Sequence, residues 1–185
     1  MVSILRSGFL GFALLALGAC ATASERYSDR PSVDYGLGVG DIVRVIVFGE
    51  ADLSGDYVVD KDGTIAFPLL GNIDAQGQSL SAVQTAISQE LQKTYFDLPR
   101  VTVEVVDYRP VFIYGEVNAP GKFPYTDGLT ALQAVATAGG FTYRANKAVI
   151  LIQAEKTDEE IPYSLSPRTK LRPGDTVRVI ERGFF

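Results

Sequence analysis

Apolar residues in this chain fall mostly in short alternating runs, and the spacing switches to a helical period in two places. Ile42 to Phe48 (IVRVIVF), entered through Gly40-Asp41, predicts a strand. Tyr57 to Asp60 and Thr64 to Phe67 flank Lys61-Asp62-Gly63, and an Asp-Gly between two β-prone runs predicts a hairpin. Pro68 and Gly71 then break the pattern. Leu80, Val83, Ile87 and Leu91 share one face of a helix. Ser79 or Ser81 can cap it, and Ser81 with Gln84 has the spacing of a capping box. Pro99 follows the helix. Val101, Val103 and Val105 then alternate with Thr102 and Glu104, as in a half-buried strand. The first unit therefore reads as β-hairpin–α–β, over about Tyr35 to Tyr108.

A second unit begins at Arg109-Pro110. Val111 to Tyr114 predicts a strand, Pro120-Gly121 a turn, and Lys122 to Tyr125 a short return strand. Thr130 caps a helix running to Ala138, with Gln133 completing a Thr-x-x-Gln capping box. Gly139-Gly140 ends the helix, where a positive φ is favoured. Val149 to Ile152, Ile161 to Leu165 and Thr176 to Glu181 are three more expected strands. The fold class is α+β. A short echo links the units: Leu37-x-x-Gly40-Asp41-x-Val43-Arg44-Val45-Ile46 returns as Leu171-x-x-Gly174-Asp175-x-Val177-Arg178-Val179-Ile180. Its simplest reading is repeated turn chemistry.

The N-terminus stands apart. After Arg6, residues Gly8 to Leu17 form an unbroken apolar stretch. It is shorter than the ~20 apolar residues a membrane-spanning helix needs, so it reads as a secretory signal. It leads into Leu17-Gly18-Ala19-Cys20, which contains the single cysteine. That cluster resembles the lipobox of bacterial lipoproteins, which implies cleavage before Cys20 and lipid attachment to its thiol. The alternative is an ordinary signal peptide with a chance cysteine. A lone cysteine in an exported chain cannot close an internal disulfide, and acylation gives it a use. Ala21 to Asp34 is polar and aperiodic; it reads as a tether reaching roughly 50 Å when extended.

Charge and composition mainly exclude. The net charge is −5, with no cluster of Lys and Arg, which argues against a nucleic-acid partner. The 185 residues contain no histidine, so Ser-His-Asp and Cys-His nucleophile systems are absent, as are His-based zinc sites. Asp60 and Asp62 are the obvious carboxylate pair for glycoside chemistry, but Asp is ordinary in such a turn. Asp60-x-Asp62-Gly63 lacks the later ligands of a calcium loop. Gly36-x-Gly38-x-Gly40 precedes a strand rather than opening a helix, the wrong order for dinucleotide binding. No cofactor or metal is expected. Tyr57, Tyr95, Tyr108, Tyr114, Tyr125 and Tyr143 could stack on sugar rings, although tyrosines on strands usually pack.

The order of motifs resembles the polysaccharide biosynthesis/export family. Its carriers are Tyr35-x-Leu37-x-x-Gly40-Asp41-x-Val43-x-Val45, Val59-Asp60-x-Asp62-Gly63-Thr64-Ile65, Pro68-Leu69-Leu70-Gly71-x-Ile73 and Pro99-x-Val101-x-Val103. Val111-x-Ile113-x-Gly115-Glu116-Val117-x-x-Pro120-Gly121-x-Phe123, with Ala138-Gly139-Gly140-Phe141, resembles a soluble-ligand-binding β-grasp (SLBB) domain. The domains expected on this basis are a signal peptide over 1–19, a tether over 20–34, an export domain over 35–108 and an SLBB domain over 109–185. The resemblance implies a non-enzymatic, lipid-anchored component of an envelope translocon on the periplasmic face of the outer membrane. It implies a homo-oligomeric ring that passes a polysaccharide chain and works with an inner-membrane copolymerase. Longer members carry further SLBB domains and a pore-lining helix, so a separate outer-membrane pore protein is a further expected partner.

Arg109, Tyr114, Glu116 and Arg144, at expected strand ends and loops, are the candidate oligomer or polymer contacts, and Cys20 is the lipidation site. Three rival readings remain: a monomeric periplasmic carbohydrate-binding lipoprotein, a carboxylate enzyme and a purely structural envelope scaffold.

Overall fold

The computed structural model describes residues 30–31 and 35–183. The signal segment, Cys20 and most of the expected tether lie outside them. The first unit contains β1 (Ile42–Val47), β2 (Glu50–Val58), β3 (Thr64–Phe67), β4 (Gly71–Asp74), α1 (Leu80–Thr94) and β5 (Val101–Asp107). Its sheet has the order β2-β1-β5, all antiparallel, and β3 and β4 form a separate hairpin. The second unit contains β6 (Val111–Gly115), β7 (Gly121–Phe123), α2 (Ala131–Thr137), β8 (Val149–Gln153), β9 (Glu160–Ser164) and β10 (Thr176–Val179). These strands make a mixed sheet of order β7-β6-β10-β8-β9, with β10 parallel to β6. A hairpin, a helix and a parallel return strand beside the hairpin give this unit its β-grasp character.

Each unit encloses its own core. Alternation in β1 sends Val43, Val45 and Val47 inward, where they meet Val101 and Val103 of β5 and Val83, Ile87 and Leu91 of α1. The three α1 residues are fully buried, each contributing roughly 1.5–3 kcal/mol by removal from water. The second core gathers Val111, Ile113, Ala134, Val135, Ile150, Ile152, Val177 and Val179. The Thr130–Gln133 capping box forms in both directions, as its spacing predicts.

Four expectations change. β2 starts at Glu50 instead of Tyr57, because β1 supplies a backbone partner from Val47↔Glu50 onward; only Leu53 of its first half faces the core, so the sequence shows no alternation there. Gly71 opens β4 instead of ending a run, and Leu69 takes the positive φ (66°) that turns the hairpin. The α1 N-cap is Ser79, whose hydroxyl accepts from the Ala82 N–H; the Ser81 hydroxyl bonds to Ser79 Oγ at 2.9 Å instead of founding a capping box with Gln84. Finally, the tether reading fails at Arg30. This residue is buried, and its guanidinium pairs with Asp175, because a buried carboxylate needs a charged partner.

Candidate functional site at the junction of the two units

The Gly-Asp turn before β1 is where the two units meet. Gly38 and Asp41 close the turn reciprocally: Asp41 N–H donates to Gly38 O, and Gly38 N–H donates to Asp41 Oδ2 at 2.7 Å. Asp41 is fully buried, and its remaining lone pairs reach outward. Oδ1 accepts the Arg109 N–H at 2.9 Å, while Oδ2 accepts Arg109 Nη1 at 2.7 Å and the Tyr35 hydroxyl. One carboxylate thus ties the start of the first unit to the first residue of the second. Burial pushes the Tyr35 hydroxyl well above the ordinary tyrosine range, and its bond to Asp41 adds to the effect.

The Arg109 guanidinium occupies a slot that only glycines leave open. A Cβ on Gly38 would lie 1.9 Å from Nη1, and one on Gly174 would lie 2.9 Å from Nε. Nε is 3.0 Å from Glu155 Oε2, close enough for charge pairing but out of line for a hydrogen bond. Tyr35 lies under the guanidinium at 5.9 Å, within cation–π range. From Tyr35 a ladder of edge-to-face rings continues to Tyr108 (5.2 Å) and Tyr125 (5.3 Å), crossing from one unit to the other. Burial raises the hydroxyls of Tyr108 and Tyr125, and the Asp127 carboxylate raises both further.

A cleft of about 560 Å³ opens beside this ladder, lined by Tyr35, Tyr125, Asp127, Arg109, Lys156, Lys170 and Arg172 among others. A neighbouring hollow of about 410 Å³ shares Tyr35, Tyr125 and Asp127 and runs to Ser79–Ser81 at the start of α1. The sequence names three of these tyrosines and Arg109 one by one; it contains no signal that they converge, because Tyr35 and Tyr125 are ninety positions apart and meet only through the turn.

The four contact candidates do not form one site. Arg109 is the internal clamp just described. The Tyr114 hydroxyl donates to Glu160 Oε1 at 2.6 Å, and Arg178 Nε donates to the same oxygen at 2.9 Å. Glu116 accepts from the Thr142 hydroxyl, and Arg144 pairs with Glu181 at 2.8 Å on the surface. Of the other tyrosines, Tyr57 packs on Phe67 and Tyr143 stands 83% exposed. Asp60 accepts from the N–H groups of Asp62 and Thr64 and from the Thr64 hydroxyl, and these bonds hold its carboxyl below the usual range. It closes a turn, while Asp62 pairs with exposed Lys61. Among the described residues, no group of three or more Asp, Glu or Cys is placed to hold a metal, and no helix is long and apolar enough to cross a membrane.

Comparison with known proteins gives the same two units. A model of the polysaccharide biosynthesis/export proteins matches residues 29–106, and an SLBB domain model matches residues 110–163. The exopolysaccharide production protein ExoF of Rhizobium meliloti (strain 1021) is 38% identical over 146 residues, which cover 72% of this chain and 34% of that protein. The polysialic acid transport protein KpsD of Escherichia coli is 28% identical over 109 residues, 58% of this chain and 20% of that protein. The chain thus spans about a third and a fifth of these curated relatives. An export-protein match followed directly by an SLBB match, on a fold with one core for each, identifies the chain: it belongs to the polysaccharide biosynthesis/export protein family.

Proposed function

We propose that this protein is a non-enzymatic component of an envelope machine that exports an exopolysaccharide or capsular polysaccharide. In this reading it is anchored by lipid at Cys20, faces the periplasm at the outer membrane, and assembles as a ring or conduit alongside an inner-membrane copolymerase. The observation that carries the reading is the clamped junction: export unit and SLBB unit are fixed to one another through Asp41 and Arg109, so neighbouring copies would present constant surfaces. The outer face of the first sheet supports lateral packing, since it exposes Ile46, Phe48 and Val58 around the Arg44–Asp56 pair. A conduit suits weak, distributed contacts, because tight binding would stall a moving polymer.

Two measurements test this reading. Deleting the gene is expected to stop secretion of the polymer while its repeat units accumulate inside; unchanged secretion would overturn the proposal. Native mass of the detergent-extracted protein is expected to show a closed oligomer. A persistent monomer, also in the presence of the copolymerase, would favour a periplasmic carbohydrate-binding lipoprotein.

A further inference from the structure

We propose that the trough at the junction binds a stretch of acidic saccharide, whose carboxylates are held by Lys156, Lys170 and Arg172 and one of whose rings lies against Tyr125. The inference rests on the export reading above and adds the class of polymer and the place of contact. Four cationic side chains and one carboxylate line the larger cleft, in a chain whose net charge is −5. Such a local reversal of sign has a physical consequence: it draws anions to one place on a surface that otherwise repels them.

The cations also differ in what they already do. Arg109 is committed to Asp41 and Glu155. Lys156 and Lys170 are exposed and have no carboxylate partner among the described residues. Arg172 donates Nη2 to the Pro31 carbonyl at 2.8 Å, while the nearby Asp175 carboxylate accepts from both guanidinium nitrogens of Arg30. Burial and the Arg30 charge lower the Arg172 guanidinium's affinity for its proton, and the Asp175 carboxylate offsets part of that effect. Lys156 and Lys170 are therefore the open cations of this wall, with the Arg172 guanidinium beside them using one nitrogen on the Pro31 carbonyl.

The aromatic floor selects a saccharide over a small free anion. Tyr35 and Tyr125 line both hollows, and the trough continues past them to the hydroxyl-bearing Ser79 and Ser81. A sugar presents apolar C–H faces to rings and hydroxyls to groups such as Asp127, Ser79 and Ser81. The volume falls within the usual range of ~300–1,000 Å³ for ligand sites, and an open trough admits a chain that extends beyond it at both ends.

The test uses the full chain purified in detergent and isothermal titration with tetragalacturonate, an acidic oligosaccharide. Maltotetraose serves as the neutral comparator and sodium sulfate as the small anion. Tetragalacturonate is expected to bind and to weaken as salt rises. Maltotetraose is expected to bind at least about tenfold more weakly, and the double variant K156Q/K170Q to lose about tenfold in affinity for the acidic probe with an unchanged melting temperature. No binding of tetragalacturonate at millimolar concentration would overturn the proposal. So would equal binding by the double variant, parity with maltotetraose, or displacement by sulfate beyond the effect of sodium chloride at the same ionic strength. Secretion separates the two readings. Loss of export on gene deletion, with no tetragalacturonate binding by the unaltered chain or equal binding by K156Q/K170Q, removes the trough and leaves the export role standing.

Discussion

The turn before β1 and the turn before β10 use one local design for two different ends. In each, the aspartate N–H donates to the carbonyl three residues back at 3.1 Å, and the aspartate carboxylate accepts the N–H of that same residue at 2.7 Å. Gly40 and Gly174 take the positive φ (91° and 82°) that such a turn needs at its third position. The correspondence extends beyond the echoed residues. Leu37 N–H donates to Gln78 O, one residue before the α1 N-cap, and Leu171 N–H donates to Leu129 O, one residue before the α2 N-cap. Both turns therefore strap a helix start to a central strand, although the helix follows the turn in one unit and precedes it in the other. The difference lies at the residue that returns the hydrogen bond. It is Gly38 in the first turn, where space admits Arg109, and Arg172 in the second, where a long cation lines the cleft. The same turn geometry thus serves two ends, set by what occupies this one position: open space for Arg109 at Gly38, and a cleft-lining guanidinium at Arg172.

The largest test of this comparison removes each carboxylate. Asp41 accepts from Gly38 N–H, Arg109 N–H, Arg109 Nη1 and the Tyr35 hydroxyl, across both units. Asp175 accepts from Arg30 and Arg172 N–H. Asp41→Ala is expected to cost about 3–5 kcal/mol, because the Gly38 and Arg109 N–H groups and the Tyr35 hydroxyl lose their acceptor and the Arg109 guanidinium keeps only Glu155. Asp175→Ala is expected at the lower end of that range, about 3 kcal/mol, because Asp175 accepts three hydrogen bonds against the four of Asp41. Urea unfolding followed by tyrosine fluorescence would read both, and an Asp175 variant weaker than the Asp41 variant would break the ranking.

Next in size is the exchange at the variable position. Gly38→Ala places a methyl group on the Arg109 guanidinium and is expected to cost about 1–3 kcal/mol, with loss of the clamp. Arg172→Ala faces the cleft and is expected to cost less than about 1 kcal/mol. Gly40→Ala separates crowding from backbone strain, since no atom lies within 4 Å of its added Cβ and only the positive φ opposes it. An equal loss in Gly38→Ala and Gly40→Ala would mean that the Arg109 slot contributes nothing beyond turn strain.

Where local pattern and tertiary demand agree, the sequence was readable. Val43, Val45 and Val47 alternate because they face one core, the α1 stripe Val83–Ile87–Leu91 is buried as its spacing requires, and Thr130–Gln133 caps as written. The first half of β2 was not readable, because backbone pairing with β1 holds Glu50 to Asp56 in a strand without an apolar face. The junction was readable only in pieces. The echo marked Asp41 and Asp175 as turn residues, but their burial and their arginine partners depend on Arg109 and Arg30 arriving from elsewhere in the chain. Lys156, Lys170 and Arg172 carry no motif, and their grouping is a product of two loops and one turn meeting at Tyr125.

A smaller effect tests the straps at the helix starts. Ser79→Ala removes one acceptor from α1, whereas Thr130→Ala removes both the acceptor for the Gln133 N–H and the hydroxyl that donates to Gln133 Oε1, leaving only the Thr130 N–H on the Gln133 arm. Losses of about 0.5–1 kcal/mol and about 1–2 kcal/mol follow from ordinary capping energies. Both would appear as shifts in urea midpoint without change in slope. A larger loss in the Ser79 variant would show that the two straps are not equivalent.

The smallest effect compares the arginines that the echo also pairs. Arg44 bonds Asp56 on the neighbouring strand, and Arg178 reaches Glu160 on β9. In both cases the hydrogen bond from arginine holds the carboxyl below its ordinary value, opposed by some desolvation. A carboxyl lowered in the folded state stabilises the protein above its unfolded value and loses that contribution as pH falls through the folded value. Glu160→Gln is therefore expected to lower the melting temperature by about 1–2 °C at pH 7. The gap should close as pH drops below the ordinary glutamate value of 4.5. Asp56→Asn should show a smaller gap with the same sense, because its pair is more open to water, with side chains 45% and 44% exposed against 29% and 26% for Arg178 and Glu160. A gap that persists unchanged at pH 3 in the Glu160 variant would assign its effect to packing with Tyr114 rather than to charge.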